Sequence, residues 1–229
     1  LCIIPSAAAR RNPAAKITLL HAIQQEVLLQ NSDTPKVSLL VPICNVERYL
    51  RECLDSAVAQ TLKDIEIICI NDGSTDSSPD IIREYMERDP RVKMIDKANS
   101  GYGDSMNHGL EMARGKYVGI LESDDFMFED SLQKLVAKAD AEHADVVKGD
   151  FYLYWSTPSE RCELFGIIDE HMTGAAYRPV DRPGIFYRKP SIWSAIYRRQ
   201  FLNDNQIRFL PTPGASYQAV SYTHLRAHE

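Results

Sequence analysis

Apolar residues between positions 37 and 147 form short runs that alternate with amphipathic stretches. Each run is long enough for one buried strand, and the runs occupy 37–42, 65–70, 92–95, 117–121 and 144–147. Between them, apolar positions recur at helical spacing around residues 49–61, after Pro79, and over 104–114 and 131–141. Strands that alternate with helices predict an α/β fold with a doubly wound, mostly parallel sheet.

Polar loops follow three of these strands, at residues 42–47, 71–78 and 122–125. Ligands of doubly wound sheets bind beyond the carboxyl ends of the strands, so we expect the three loops to face one crevice. Asn45 and Asp76 are predicted to cap the helices that follow them. Gly115 is predicted to end the helix over 104–114 in a left-handed conformation.

The remaining segments have weaker patterns. Residues 151–190 are rich in aromatic residues and prolines, which indicates strands and loops over the crevice. Residues 191–203 have helical spacing through Trp193, Ile196, Tyr197 and Phe201. Residues 17–29 predict an amphipathic helix, which packs on the protein or rests peripherally on a membrane surface, and polar residues interrupt it too often for a membrane span.

Composition excludes several classes of protein. The chain has 229 residues, a formal net charge of -6 and a pI near 5.6, which argues against a nucleic-acid partner. Its 44% hydrophobic content is that of a globular protein. Five cysteines without a CxxC pair fit neither a disulfide framework nor a structural zinc site, and they favour a cytoplasmic location.

An acidic cluster follows the strand predicted over 117–121. Glu122, Asp124 and Asp125 lie within four positions, with Ser123 between them. Their charges repel one another unless a cation neutralises them, and hard carboxylate oxygens favour Mg²⁺ or Mn²⁺ over zinc. The alternative interpretation is that Glu122 and Asp125 cap the next helix.

Three residues in the other loops are further candidates. Asp72 is expected to accept hydrogen bonds from a base or sugar, or to form a plain Asx-turn. Lys97 is either a cation for a diphosphate or a solvated surface charge. Cys44 lies in the first loop, but no residue pattern supplies a base that would activate it as a nucleophile.

Four motifs in this order resemble the signature of family 2 glycosyltransferases with the GT-A fold. They occupy 37–45, 71–76, 107–117 and 122–125, and the resemblance covers about residues 36–155. It implies a nucleotide-diphospho-sugar donor, usually a UDP-sugar, and transfer of the sugar to the hydroxyl of a saccharide or lipid-linked saccharide. It also implies a nucleotide-sugar-binding core over 35–155, between an N-terminal extension over 1–34 and an acceptor-side region over 156–218.

The resemblance also assigns residues to the donor site. Pro42 and Glu47 match positions that line the nucleoside, with Cys44 between them, and Asp72 matches the aspartate that contacts the base. We expect Lys97, Glu122 and Ser123 to bind the donor as well. Glu122 and Asp124 match the two acids of the family's DxD motif, although the first acid is here a glutamate. Asp124 and Asp125 are the expected metal ligands.

An inverting transfer needs a general base for the acceptor hydroxyl. The resemblance places this carboxylate directly after Gln218, where the sequence has Ala219. Residues 219–229 continue no family pattern, so we expect a truncated chain with a foreign tail. Two functions follow: a glycosyltransferase at the inner face of the cell membrane, or a sugar-nucleotide-binding module without transfer activity. A phosphorelay receiver domain does not account for residues 71–76.

Overall fold

A computed structural model describes residues 34–167, 176–187 and 191–211. Its centre is a six-stranded sheet with the strand order β3-β2-β1-β4-β8-β5. These strands are β1 (Val37–Ile43), β2 (Ile65–Asp72), β3 (Val92–Lys97), β4 (Tyr117–Ile120), β5 (Val146–Lys148) and β8 (Ala195–Arg198). Strand β1 pairs in parallel with β2 and β4, and β2 pairs in parallel with β3.

Helices cover both faces of this sheet. They are α1 (Glu47–Val58), α2 (Ser78–Arg88), α3 (Tyr102–Met112), α4 (Ser131–Glu142) and α5 (Arg199–Asp204). The apolar residues of α1, α2 and α4 form a core cluster with one face of the sheet, and those of α3 and α5 form a second cluster with the other face. The predicted doubly wound, mostly parallel architecture is therefore confirmed.

The helix predicted over 191–203 is wrong. A 3-10 turn (Ile192–Ser194) leads into the antiparallel strand β8, and only the residues after it form α5. Strand β8 lies between β4 and β5, so Ala195, Ile196 and Tyr197 are all buried. A strand buried on both faces lacks the alternation of polar and apolar residues that identifies a strand. The apolar residues of β8 and its neighbours therefore also fit the spacing of a helix.

Residues 151–187 contain strands and turns, as expected. Strands β6 (Phe151–Trp155) and β7 (Arg161–Phe165) form an antiparallel hairpin, and 3-10 turns occupy Pro179–Asp181 and Pro183–Tyr187. The helix predicted over 17–29, and positions 218–229, lie outside the described residues. In the part of the chain that is described, no helix is long and apolar enough to cross a membrane.

Gly115 does not adopt the predicted left-handed conformation. Helix α3 ends at Met112, and Ala113 after it is extended, with φ of -61° and ψ of 127°. A Cβ atom on Gly115 would lie 2.5 Å from the backbone nitrogen of Ser38 and 2.8 Å from the carbonyl oxygen of Tyr117. Glycine is needed here because two stretches of backbone meet at this position.

Candidate functional site

The candidate site is built where β2, β1 and β4 end side by side. Because β1 pairs in parallel with both neighbours, the loops that follow the three strands emerge at the same edge of the sheet. The candidate residues in these loops come from sequence positions up to 83 residues apart, from Pro42 to Asp125. Pro42 itself is buried within β1, opposite Ile70 of β2.

The first two loops are joined by hydrogen bonds of Asn45. Its side-chain oxygen accepts a hydrogen bond of 2.8 Å from the backbone amide of Thr75, and its backbone amide donates to the hydroxyl of Ser74 over 3.1 Å. Asn45 has a φ of 55°, and the residue before α1 is Val46. The prediction that Asn45 caps α1 is therefore wrong, because its side chain is used by the neighbouring loop.

Glu47 and Asp76 fasten the starts of α1 and α2 to each other. The amide of Glu47 donates to Oδ2 of Asp76 over 3.0 Å, and the Glu47 carboxylate accepts from the amide of Ser77 over 2.8 Å. Oδ1 of Asp76 also accepts from the amide of Ser78, the first residue of α2, over 3.0 Å. The N-cap residue of α2 is Ser77 and not Asp76 as predicted, but Asp76 accepts from the first backbone amide of both helices.

Asp72 lies at the end of β2 and is buried. Its Oδ1 accepts from Nζ of Lys97 (2.5 Å) and the amide of Ser100 (2.8 Å), and its Oδ2 accepts from the amide of Gly101 (2.9 Å). Burial raises the pKa of Asp72, but these hydrogen bonds and the charge of Lys97 outweigh it and hold the pKa below its usual value. Asp72 is therefore ionised at neutral pH.

Lys97 is not a solvated surface charge. Its side chain is 14% exposed, and its Nζ lies 2.5 Å from Asp72 and 3.5 Å from Asp104. The same ammonium group donates to the carbonyl of Ala98 and the hydroxyl of Ser100. Lys97 thus places a positive charge inside the loop between β3 and α3, beside the end of β2.

Asn99 brings this loop against the other two. Its side-chain amide donates to the carbonyl of Asp72 over 3.0 Å and contacts the sulfur of Cys44 at 3.5 Å. Gly73 has a φ of 66°, and a Cβ atom there would lie 2.6 Å from the backbone nitrogen of Asn99. Cys44 remains exposed at the surface of the first loop.

The acidic loop contains one partly buried and two exposed carboxylates. The Glu122 carboxylate accepts a hydrogen bond of 2.7 Å from the hydroxyl of Tyr102, whereas Asp124 and Asp125 are exposed. Burial, and then the charges of Asp125 and Asp124, raise the pKa of Glu122 to about 7. Ser123 is buried between them. The loop therefore concentrates negative charge at the end of β4.

The chemistry of this loop fits a hard divalent cation. In residues 34–167, 176–187 and 191–211, no three His, Cys, Asp or Glu side chains form a group that could hold a metal by themselves. Magnesium is commonly held by one or two carboxylates together with substrate phosphates and water. Asp124 and Asp125 offer such carboxylates at an exposed position, and a bound cation would offset the repulsion within the loop.

Two residues of this region were not identified from the sequence. Tyr102 begins α3 and bonds Glu122, and Asn107 of α3 bonds the backbone of Phe209. An aromatic residue at a helix start, and a polar residue in a helix, have no local signal for such contacts. Asn107 stood out only as a member of the third motif.

Comparison with known proteins agrees with this geometry. Residues 38–203 match the family described as Glycosyl transferase family 2. The chain belongs to this family. It is 35% identical over 186 residues to the uncharacterised glycosyltransferase EpsJ of Bacillus subtilis (strain 168), covering 76% of this chain and 53% of EpsJ.

Two solved structures of sugar-nucleotide complexes have a similar fold. S. aureus TarS 1-349 in complex with UDP-GlcNAc matches with a TM-score of 0.68 and 26% identity, over 83% of this chain and 53% of that one. The mannosyltransferase PcManGT from Pyrobaculum calidifontis, in complex with GDP-Man and Mn²⁺, matches with a TM-score of 0.56 and 19% identity, over 81% and 50% of the two chains. This family 2 chain spans about half the length of these relatives.

Proposed function

We propose that this protein transfers a sugar from a nucleotide-diphospho-sugar, most simply a UDP-sugar, to an acceptor hydroxyl in a metal-dependent reaction. The acceptor is a saccharide or lipid-linked saccharide at the inner face of the cell membrane, in the synthesis of a cell-surface polysaccharide. The observation that carries the proposal is the juxtaposition of the acidic loop with the loops that contain Cys44 and Asp72. The similarity of this fold to TarS 1-349 in complex with UDP-GlcNAc supports the choice of donor.

Asp72 has the properties of a nucleobase acceptor. An ionised carboxylate accepts about four hydrogen bonds, and loop 97–101 supplies three of them. Oδ2 therefore retains a lone pair for an N–H group of the base. Cys44 and Glu47 border the same edge and line the nucleoside, and Pro42 lies near the end of the strand that precedes them. Lys97 contributes to donor binding by holding the Asp72 carboxylate in place.

Asp124 and Asp125 are the residues that would hold Mg²⁺ or Mn²⁺, with Ser123 and Glu122 beside the donor. The cation, when bound, neutralises the charge that develops on the departing nucleoside diphosphate. Glu122 is held by Tyr102, so it shapes the loop rather than reaching freely for solvent. The general base is expected directly after Gln218, at a position that Ala219 occupies, and transfer is expected to invert the anomeric carbon.

A second function follows from Ala219. If no other carboxylate replaces the base, the chain binds a sugar nucleotide but does not transfer its sugar. Both functions share the donor site, and they differ in what happens to the anomeric bond.

Release of nucleoside diphosphate from UDP-GlcNAc tests the proposal. We expect release that requires Mn²⁺ and stops with EDTA or with Asp124→Asn, and that increases with simple glycoside acceptors. The exposed Asp64→Asn is the matched control and should behave as wild type. Binding of UDP-GlcNAc without release of UDP would favour the second function. Both functions would be overturned if the chain neither bound nor cleaved UDP-GlcNAc or a GDP-sugar.

A further inference from the structure

Asn107 attaches a distant segment of the chain to α3. Its Oδ1 accepts from the amide of Phe209 over 2.9 Å, and its Nδ2 donates to the carbonyl of the same residue over 2.9 Å. One side-chain amide thus satisfies both backbone groups of Phe209, as a neighbouring strand would. The segment 207–210 is thereby fixed to a residue 102 positions earlier in the chain.

Phe209 continues this chain of contacts toward the acidic loop. Its ring is buried, with 2% exposure, and lies edge-on to the ring of Tyr102, with the ring centroids 6.0 Å apart. The Tyr102 hydroxyl in turn donates to Oε1 of Glu122 over 2.7 Å. Three side chains, those of Glu122, Tyr102 and Phe209, therefore connect the acidic loop at the end of β4 with the segment that follows α5.

The segment 207–210 has a second attachment at its start. The amide of Ile207 donates to the carbonyl of Leu202 in α5 over 2.8 Å, and Ile207 is buried. Arg208 and Leu210 are exposed. Buried and exposed residues alternate here, so Ile207 and Phe209 anchor the segment, and Phe209 contacts the Tyr102 ring that leads to the acidic loop.

We propose that Asn107 and Tyr102 are positioning residues that couple donor binding at the acidic loop to the segment 207–210. This rests on the proposed function, because it requires a nucleotide to bind at the acidic loop. Binding that restrains Glu122 also restrains the Tyr102 hydroxyl and, through the edge-to-face contact of the two rings, Phe209. Ordering that is shared between connected groups is a recognised source of coupling between sites.

Hydrogen exchange of the Phe209 amide measures this coupling without any need for sugar transfer. In the wild-type chain, UDP with Mn²⁺ should slow this exchange by about fivefold or more, the size of a typical coupling between sites. Tyr102→Phe removes only the hydroxyl, so the exchange rate without UDP should stay unchanged while the slowing by UDP is lost. Asn107→Ala should accelerate exchange about tenfold even without UDP, because the amide loses its partner.

Gln133→Ala removes an exposed side-chain amide from α4 and is the matched control, with wild-type exchange at Phe209 in both conditions. The coupling is refuted if UDP binds the wild-type chain and leaves Phe209 exchange unchanged, or if Tyr102→Phe retains the full slowing. An absence of UDP binding in calorimetry would instead refute the donor site, and the coupling with it. If Asn107→Ala does not fold, Tyr102→Phe alone decides the outcome.

Discussion

The buried carboxylate of Glu66 gives the fold a pH dependence that can be calculated. Glu66 lies near the amino end of β2, far along the strand from Asp72, and its side chain is 3% exposed. It accepts hydrogen bonds of 2.6 Å from the hydroxyl of Ser38, 2.6 Å from the ammonium group of Lys93 and 2.8 Å from the amide of Arg114. Burial raises the pKa of Glu66, but these bonds outweigh it and lower the pKa from 4.5 to about 2.

A carboxylate with a lowered pKa stabilises the folded state at pH values above its unfolded pKa. The difference between 4.5 and about 2 corresponds to roughly 3 kcal/mol of unfolding free energy at pH 7. Linkage predicts that about 2 kcal/mol of this remains at pH 3.5, and that the rest is lost as the pH falls through about 2. Glu66→Gln resembles the protonated residue, so the variant should be less stable by about 3 kcal/mol at pH 7.

Urea unfolding, followed by circular dichroism at pH 7, 5 and 3.5, measures these differences. The gap between wild type and Glu66→Gln should be constant from pH 7 to 5 and narrower by about 1 kcal/mol at pH 3.5. The exposed Glu87→Gln should match wild type at every pH. A gap below about 0.5 kcal/mol at pH 7, or one that widens as the pH falls, would refute the reasoning.

Two further substitutions test how the loops and strands are held. Gly115→Ala places a Cβ atom 2.5 Å from the Ser38 nitrogen, so the free energy of unfolding measured in urea should fall by about 1–3 kcal/mol. In the control Gly149→Ala no atom lies nearer than 3.8 Å to the new Cβ, so the loss should be under about 1 kcal/mol. Equal losses in the two variants would contradict the close backbone approach at Gly115. Asp76→Ala removes the acceptor of the first backbone amides of α1 and α2, so the free energy of unfolding measured in urea should fall by about 1–2 kcal/mol. The exposed Asp64→Ala should cost little, and an Asp76→Ala variant as stable as wild type would contradict the role of these two hydrogen bonds.

The central sheet could be predicted from the sequence because its signals are local. Each of β1 to β5 is a short apolar run, and the helices between them bury one apolar stripe each. The parallel order then follows from the alternation, and it brings the loops at 42–47, 71–78 and 122–125 to one edge. The sequence pattern alone therefore predicts that these loops lie together.

The contacts that organise the site could not be predicted, because they join residues far apart in the chain. The carboxylate of Asp72 is bound by Lys97 and by loop amides 28 and 29 positions away. The sequence around Asn107 is that of an ordinary polar position in a helix, and only the folded structure shows that Asn107 bonds to Phe209. Strand β8 was missed for a related reason: it is defined by the neighbours β4 and β5, and its own sequence favours a helix equally well.

Calorimetric titration with UDP tests the donor site most directly. The account predicts that UDP binds the wild-type chain in the presence of Mn²⁺, that EDTA weakens this binding, and that Asp124→Asn weakens it by about tenfold or more without changing the circular dichroism spectrum. The exposed Asp64→Asn should bind as wild type. Binding of UDP with the same affinity in EDTA, or in Asp124→Asn, would contradict the assignment of the acidic loop as a metal and diphosphate site.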